Sequence, residues 1–256
     1  MELNKKFDFL IVLLILSITA WIWLFFELKP MVGGIFFTFL PSFYLMAREK
    51  KNLKKIFLAV FVLGILVGLA FDFLEVVNQA WAVPRIFLPW KAFGVWPIDE
   101  LLGYIEMTLL MVVFYEHFLD DEKNKKISKN FIYLFIALSA STIIIWGLFI
   151  INPASIGFSY AYLRGGLVAI ILPIILGLWR PKLIPKFLAM AAFFFPVWLT
   201  AEIVALKTGG WIFPGQYIGL VEIFGVKFPF EELFFWTMGY AAVITAYYEL
   251  FIDDLR

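Results

Sequence analysis

Long apolar runs separated by short polar connections make up most of this chain. A run of roughly 17 to 25 apolar residues is long enough to cross a bilayer as an α-helix. Eight runs meet this criterion, and they lie at about Phe7–Phe26, Met31–Ala47, Ile56–Val77, Ile98–Leu119, Phe131–Ile151, Gly157–Leu178, Ile184–Leu206 and Phe230–Ile252. The pattern therefore predicts an all-α, polytopic helical membrane protein with about eight transmembrane helices.

Two of these runs need comment. The first follows Lys5 and Lys6 as a signal peptide would, but its apolar core is too long and no small-residue cleavage signal follows. We interpret it as a retained helix. The second run is the shortest and contains Pro41, which lacks the amide donor of a regular helix, so its transmembrane signal is the weakest of the eight.

Composition supports a membrane location. Of the 256 residues, 63% are hydrophobic and 16% are charged, and the mean hydropathy is +0.93. A soluble domain of this length could not bury that much apolar surface. The formal net charge of +1 gives no reason to expect nucleic acid as a partner. The partners expected are the lipid bilayer and a hydrophobic substrate, and the oligomeric state is left open.

The residue inventory limits the chemistry. The chain has no cysteine and one histidine, His117, which excludes thiolate metal sites, disulfides, cysteine nucleophiles and Ser-His-Asp triads. No G-x-G-x-x-G fingerprint follows a strand, so no flavin or nicotinamide site is indicated. We expect no metal and no cofactor at the site, and chemistry that depends on carboxylates, hydroxyls and aromatic rings.

Basic residues are distributed unevenly among the connections. If the N-terminus is cytoplasmic, most of them lie on the cytoplasmic side, which favours eight spans with both termini inside the cell membrane. These residues are Lys5, Lys6, Arg48, Lys50, Lys51, Lys54, Lys55, Lys123, Lys125, Lys126, Lys129, Arg180, Lys182, Lys186 and Arg256.

The sequence repeats itself after about 130 residues. Gly33-Gly34 recurs as Gly165-Gly166, Asp72 as Glu202, and Trp81 as Trp211; Pro41, Arg48, Lys54 and the segment 115–121 recur as Pro173, Arg180, Lys186 and 248–254. The spacing predicts two tandem four-helix repeats, 1–122 and 123–256. Because each repeat has an even number of spans, both would insert the same way up, related by a pseudo-two-fold axis along the membrane normal.

The most informative repeated motif is a proline followed by two carboxylates at the start of an apolar run. It occurs as Trp96-Pro97-Ile98-Asp99-Glu100-Leu101 and as Phe228-Pro229-Phe230-Glu231-Glu232-Leu233. Proline followed by acids is also an ordinary helix start. Ionised acids at this depth are unfavourable, however, so two copies predict a site. The candidate catalytic residues are Asp72, Asp99, Glu100, Glu202, Glu231 and Glu232.

Aromatic side chains surround these acids in the sequence. The connections Trp81–Trp96 and Trp211–Phe228 are predicted to be interfacial or re-entrant. Aromatic faces there could shield a carbocation from water. Arg164 precedes Gly165-Gly166 and could keep one acid ionised. The candidate substrate-binding residues are Trp81, Trp96, Trp211, Phe235, Trp236 and Arg164.

Other ionisable groups have simpler interpretations. Glu116 with Asp120-Asp121 and Glu249 with Asp253-Asp254 form a second repeated cluster at the cytoplasmic ends of two predicted helices. We interpret it as hydrated helix termini, with magnesium chelation as the alternative. His117, Glu75 and Glu222 are expected at the surface or the interface.

At these residues the chain resembles the membrane-integral lycopene beta-cyclase family, which occurs as heterodimers of small subunits or as fused repeats. Pro229-Phe230-Glu231-Glu232, Glu202 and Gly210-Trp211 match the family's motifs, and the resemblance covers most of both repeats. The first repeat departs from the pattern, because Asp99 replaces a glutamate and Gln79-Ala80-Trp81 stands where glycine is expected.

The resemblance implies an isomerase that converts the linear end groups of lycopene into β-ionone rings. Glu231 and Glu232 would be the principal acid and base, Asp99 and Glu100 their partners, and Asp72 and Glu202 would tune or relay protons. A proton-coupled transporter is the main rival, since repeats and membrane carboxylates fit it as well. Another isoprenoid end-group enzyme, such as a hydratase or prenyltransferase, is a further alternative.

Overall fold

The computed structural model describes residues 3–48, 52–120, 126–253 and 255. Eight long helices follow one another along the chain. They are α1 (Leu3–Phe25), α2 (Pro30–Arg48), α3 (Leu53–Val77), α4 (Ile98–Phe118), α5 (Phe131–Ile151), α6 (Ala161–Trp179), α7 (Ile184–Lys207) and α8 (residues 232–251).

Six helices in the described part of the chain are long and apolar enough to cross a membrane, namely Asn4–Phe25, Pro30–Arg48, Leu53–Val77, Phe131–Ile151, Ala161–Trp179 and Pro181–Lys207. This identifies a helical membrane protein. The two remaining helices, α4 and α8, begin with the paired acids and carry further carboxylates near their ends. The prediction of eight spans therefore depends on these two helices.

Several helices contain wider, π-helical turns. In α2 the π-helical segment Ile35–Phe39 ends two residues before Pro41, and the helix continues through the proline to Arg48. The run with the weakest signal is therefore a helix of membrane-spanning length, because the wider turns accommodate the missing amide hydrogen bond. Similar segments, Gly68–Asp72 in α3 and Glu232–Gly239 in α8, carry candidate site residues.

Helices α4 and α8 form the centre of the bundle. Helix α4 packs against α2, α3 and α8, while α8 also packs against α6 and α7. At mid-height, residues 109–114 of α4 are all apolar and at most 6% exposed. This dry layer separates the carboxylates near the start of α4 from those near its end.

Each connection predicted to be interfacial contains a short antiparallel hairpin. Strands β1 (Lys91–Ala92) and β2 (Trp96–Pro97) precede α4, and β3 (Leu220–Ile223) and β4 (Val226–Pro229) precede α8. The turns contain Phe93-Gly94 and Phe224-Gly225, all four residues with positive φ. An aromatic residue followed by glycine at equivalent places was the sequence signal for these hairpins, which the helical pattern did not predict.

The two connections bond to each other through equivalent residues. Ala82 follows Trp81, Ile212 follows Trp211, and the two residues exchange both backbone hydrogen bonds at 2.9 Å. Such a reciprocal contact between repeated positions is the kind that a two-fold axis generates.

A second reciprocal contact lies where α4 and α8 end. The Tyr115 hydroxyl donates to Glu249, and the Tyr248 hydroxyl donates to Glu116. The two tyrosine rings meet edge to face with centroids 5.9 Å apart. We call this group the Tyr–Glu cluster: Tyr115, Glu116, Asp120, Tyr248, Glu249 and Asp253, with Asn52, Lys55 and Lys186 around it.

We expect Tyr248→Phe to lower the free energy of unfolding by about 1 to 3 kcal/mol, because the Glu116 carboxylate then loses a buried donor. Thermal unfolding in detergent would measure this. Tyr133→Phe is the matched control, since Tyr133 is 69% exposed on α5. An equal loss of stability in both variants would contradict the interpretation.

Two features of the sequence prediction need separate mention. The sixth helix begins at Ala161 rather than Gly157, because a 3₁₀ turn, Pro153–Ile156, and the left-handed residue Tyr160 come first.

Some residues used above in the charge and cluster arguments lie outside the described residues. They are Lys50, Lys51, Asp121, Lys123, Lys125, Asp254 and Arg256.

Candidate functional site

Three of the six predicted catalytic acids line one cavity between α4, α7 and α8. Glu100, Glu202 and Glu232 share this cavity of about 150 Å³ with eight aromatic side chains. The aromatic residues are Trp81, Tyr104, Tyr162, Trp198, Trp211, Phe213, Trp236 and Tyr240. We call this cavity the chamber. Glu202 and Glu232 are buried and Glu100 is partly buried, so the chamber places carboxyl groups against aromatic walls.

Helical periodicity explains why each repeat provides both an acid and an aromatic ring. Tyr104 lies four residues after Glu100, and Trp236 lies four residues after Glu232, so each ring lies on the same helical face as its acid. The rings of Tyr104 and Trp236 meet edge to face with centroids 6.3 Å apart. Equivalent positions of α4 and α8 thus converge on the chamber.

The acid on the preceding helix is held by a tryptophan indole in each repeat. The Nε1 of Trp211 donates to both carboxylate oxygens of Glu202, at 3.1 and 3.0 Å. The Nε1 of Trp96 donates to Asp72 Oδ2 at 2.5 Å. Glu202 also faces the chamber, whereas Asp72 is fully buried beside it.

The first acid of each pair binds the backbone of its own hairpin connection. Asp99 accepts hydrogen bonds from the amides of Phe87 and Leu88, the latter at 3.0 Å. Glu231 accepts one from the amide of Ile218 at 2.7 Å. These two carboxylates therefore position the connections, while the second acid of each pair, Glu100 or Glu232, lines the chamber.

Tyr217 fastens the second connection to the first. Its hydroxyl donates to the carbonyl of Ala80 at 2.8 Å and accepts from the amide of Gly215 at 2.8 Å. Burial raises the pKa of Tyr217 to about 12, so the hydroxyl keeps its proton at neutral pH. A hydrogen bond thus links the two connections, which contribute Trp81, Trp211 and Phe213 to the chamber lining.

Two further cavities adjoin the chamber. One, of about 130 Å³, shares Glu100, Tyr104 and Trp211 with it and reaches Glu106. The other, of about 320 Å³, shares Trp236 and Tyr240 and is lined otherwise by apolar or small residues of α3, α5, α6 and α8. We call the latter the lateral cavity. The acids of the chamber thus have mainly apolar cavities on two sides.

Several polar atoms at the chamber have no hydrogen-bond partner among the described residues. They are Glu100 Oε1, Trp198 Nε1, Trp236 Nε1 and the Tyr240 hydroxyl oxygen. Buried donors and acceptors are normally satisfied by protein or ordered water. These atoms therefore have capacity for a hydrogen bond with a polar group or water.

The other predicted substrate-binding residues occupy different places. Phe235 packs on Gly166 and lines the lateral cavity. Trp96 is 1% exposed and packs with Phe73, away from the chamber lining. Arg164 is exposed, and its guanidinium lies over the Phe158 ring with 5.6 Å to the centroid. The predicted pairing of Arg164 with a site carboxylate does not appear in its described contacts.

Two further acids near the site, Glu75 and Glu106, are buried although neither is among the candidate catalytic residues. Glu75 is 2% exposed and packs against Gly165, so the expectation of a solvated interfacial acid is wrong. It lies three residues after Asp72, a helical spacing that could have revealed it. Glu106 packs against Gly34 and reaches the smaller cavity. Glu222, as expected, is exposed and pairs with Lys227 at 3.5 Å.

The Tyr–Glu cluster is buried, contrary to the expectation of hydrated helix termini. Glu116, Asp120, Glu249 and Asp253 are each at most 6% exposed. Burial raises the pKa of Asp253 to about 6 despite its ion pair with Lys55. His117 is also buried rather than superficial, with Nε2 3.0 Å from Asp8 Oδ2.

Comparisons with models of protein families, with curated proteins and with solved structures find no match for this chain.

Proposed function

We propose that the protein is a carotenoid cyclase of the membrane-integral type, which converts linear lycopene-like end groups into β-ionone rings without net redox change. The observation that carries the proposal is the chamber, where buried Glu202 and Glu232 and partly buried Glu100 lie among eight aromatic rings next to the apolar lateral cavity. Proton-initiated alkene chemistry needs a carboxylic acid that is shielded from water and a wall that stabilises a cation.

The reaction conserves every atom. A protonated carboxyl of the chamber adds its proton to the terminal double bond of the end group, which leaves a carbocation. The electron pair of the C5=C6 bond attacks this cation and closes the ring. A second carboxylate then removes a ring proton, so the product is an isomer of the substrate.

Glu100 and Glu232 are the acid and base that this geometry favours. Both line the chamber, and each has an aromatic residue one helical turn further along. Asp99 and Glu231 act as positioning residues, because their carboxylates bind the backbone amides of the connections. Glu202 and Asp72, held by Trp211 and Trp96, complete the set of buried acids.

The architecture proposed for this enzyme is eight spans in two tandem repeats, 1–122 and 123–256, with both termini cytoplasmic in the cell membrane. The reciprocal bonds of Ala82 with Ile212, and of the two tyrosines with the two glutamates, support an axis between the repeats. Such an axis places the chamber where the halves meet. The substrate would enter from the bilayer through the lateral cavity.

Hydration of the same end group is a second candidate, favoured by one observation. Trp198 Nε1, Trp236 Nε1 and the Tyr240 hydroxyl face the chamber without described partners, and ordered water would satisfy them. Water at the cation would form a C–O bond and lose a proton to a carboxylate, which adds one water molecule overall. Product analysis separates a ring from a tertiary alcohol.

The transporter alternative has less support. A proton-coupled transporter needs a polar path through the bilayer. Residues 109–114 of α4 form a buried apolar layer between the chamber and the Tyr–Glu cluster. Proton-driven uptake by proteoliposomes, with lycopene left unchanged, would favour the transporter over the cyclase.

Expression of the chain in a lycopene-accumulating bacterial host should yield carotenes with β-ionone rings. Chromatography with absorption and mass spectra would identify them, because cyclisation preserves the mass of lycopene whereas hydration adds that of water. The control is a host with an empty vector. Unchanged lycopene, in cells whose membranes contain the folded protein, would contradict both end-group activities.

A further inference from the structure

The Tyr–Glu cluster brings three carboxylates from different parts of the chain together. Glu116 lies near the end of α4, Asp120 just beyond it, and Asp253 just after α8. One carboxylate oxygen of each residue lies within 4.8 Å of the others. All three residues are at most 6% exposed. Close, buried carboxylates repel one another unless a positive charge or a proton lies between them.

Lysine ammonium groups contact some carboxylates of this cluster, but none of the described ones contacts Glu116. Lys55 forms an ion pair with Asp253, and Lys186 lies 3.7 Å from Asp120 and 3.0 Å from Glu249. Among the described residues, Glu116 receives hydrogen bonds only from neutral groups, the Tyr248 hydroxyl and the Asn52 amide. The Glu116 carboxylate therefore has no cationic partner in the described part of the chain.

Buried acceptor oxygens of Asn52 and Glu249 at the cluster also lack a hydrogen-bond partner among the described residues. The Nδ2–H of Asn52 donates a hydrogen bond to Glu116 Oε2 at 2.5 Å. The Oδ1 of Asn52 has no hydrogen-bond partner in the described part of the chain. The Oε2 of Glu249 has none there either, although Oε1 binds both Tyr115 and Lys186. Asn52 is 7% exposed and Glu249 is 1% exposed. Both atoms are acceptors, so a cation would satisfy them and a second acceptor would not.

We propose that the Tyr–Glu cluster binds one divalent cation of the magnesium, manganese or calcium class, with Glu116, Asp120 and Asp253 as its carboxylate ligands. Carboxylate and amide oxygens are the ligands that these hard cations prefer, and no sulfur or imidazole ligand is present in the set. On sequence grounds, magnesium chelation is the alternative to hydrated helix ends for this cluster, and the buried geometry favours that alternative.

The cation would act as a clamp between the repeats. Glu116 and Asp120 belong to the first repeat, whereas Asp253 belongs to the second. A cavity of about 310 Å³ lies beside Asp253 and is lined by Ser128, Asn130 and Leu255 among others, which provides room for an ion to reach the cluster. The site lies across the apolar layer from the chamber, so the proposal does not depend on the proposed catalytic activity.

Manganese is a suitable probe because bound and free Mn²⁺ differ in their electron paramagnetic resonance spectra. The full-length protein in detergent, stripped with EDTA and desalted, should bind about one Mn²⁺ per chain with saturation. Excess Mn²⁺ should raise its Tm by about 5 °C or more, since the ion binds the folded state only. Competition with Mg²⁺ and Ca²⁺ would establish which ion binds most tightly.

Asp253→Asn should weaken Mn²⁺ binding at least 10-fold, because it removes a charged ligand but keeps an acceptor for Lys55. Glu116→Gln should have a similar effect. Glu222→Gln is the matched control, since Glu222 lies on an exposed hairpin and pairs only with Lys227 among the described residues. This control should bind Mn²⁺ like the parent protein.

Two results would overturn the proposal. One is a parent protein that shows no saturable Mn²⁺ signal and no rise in Tm. The other is equal Mn²⁺ affinity in the parent and in a folded Asp253→Asn variant, where circular dichroism and gel filtration establish folding. If Asp253→Asn does not fold, the Glu116→Gln variant and the parent's own titration decide the matter.

Discussion

Glu232→Gln is expected to reduce ring formation at least about 100-fold, the lower end of what general acid–base catalysis contributes. The carboxyl lines the chamber among aromatic rings, where a proton donor is needed. Glutamine has nearly the same shape but neither donates an acidic proton nor accepts one from a ring carbon. A 100-fold loss corresponds to about 2.7 kcal/mol in the activation free energy. Initial rates with micellar lycopene would measure the effect, and Glu100→Gln should behave similarly.

The neighbouring residue provides a matched control. Glu231→Gln should keep most of the activity, because the amide oxygen of glutamine can still accept the hydrogen bond from Ile218. Asp99→Asn is the equivalent control for Glu100→Gln, since the amide oxygen of asparagine can still accept the hydrogen bond from the Leu88 amide. Full activity in Glu232→Gln, or equal inactivation of Glu231→Gln and Glu232→Gln, would contradict the roles proposed here.

Filling the lateral cavity with Ala169→Trp is expected to lower ring formation in cells at least about 10-fold. Ala169 lines this cavity on α6, and the cavity shares the lining residues Trp236 and Tyr240 with the chamber. A long, rigid polyene must keep its remaining chain somewhere while one end reaches the acids. An indole in that space would block the chain without touching a carboxylate. Pigment analysis at equal protein levels would measure the loss.

Val168→Trp is the control for this second substitution. Val168 precedes Ala169 on the same helix but is 52% exposed on the outer surface of the bundle. It should accept the same indole with little change in activity. If both variants cyclise lycopene as the parent does, substrate entry through the lateral cavity is excluded. Gel filtration and thermal unfolding of both variants would separate blockage from misfolding.

The helical part of the fold was predictable because bilayer-length apolar runs carry a strong signal. The observed bounds of α3, α5 and α7 differ from the predicted ones by a few residues at most. Helix α2 passes through Pro41 because π-helical turns remove the need for its amide. Such local adjustments are set by packing between helices and have no signature in hydropathy.

The hairpins were missed for a different reason. Their strands have two to four residues, too few for an alternating pattern to stand out. Only the repeated Phe-Gly pairs at 93–94 and 224–225 indicated tight turns. The backbone amides that bind Asp99 and Glu231 belong to Leu88 and Ile218, just before each hairpin, and this contact becomes evident only in three dimensions.

At the site, the sequence predicted which acids lie close together more reliably than which way each carboxylate points. The repeat identified both acid pairs, and the structure brings Glu100, Glu202 and Glu232 to one chamber. It could not separate the first acid of a pair from the second, because adjacent residues on a helix point about 100° apart and only packing decides which one faces inward. The burial of Glu75 and His117 likewise depends on helix contacts far away in sequence.

The apolar layer formed by residues 109–114 has an energetic consequence for the cell. An enzyme that takes up and returns a proton in each turnover must exchange protons with one aqueous phase only, or it would dissipate the electrochemical gradient across its membrane. The six successive buried apolar side chains provide no proton relay along α4. The acid catalysis proposed for the chamber would therefore exchange protons with the aqueous phase on the chamber's side of the membrane.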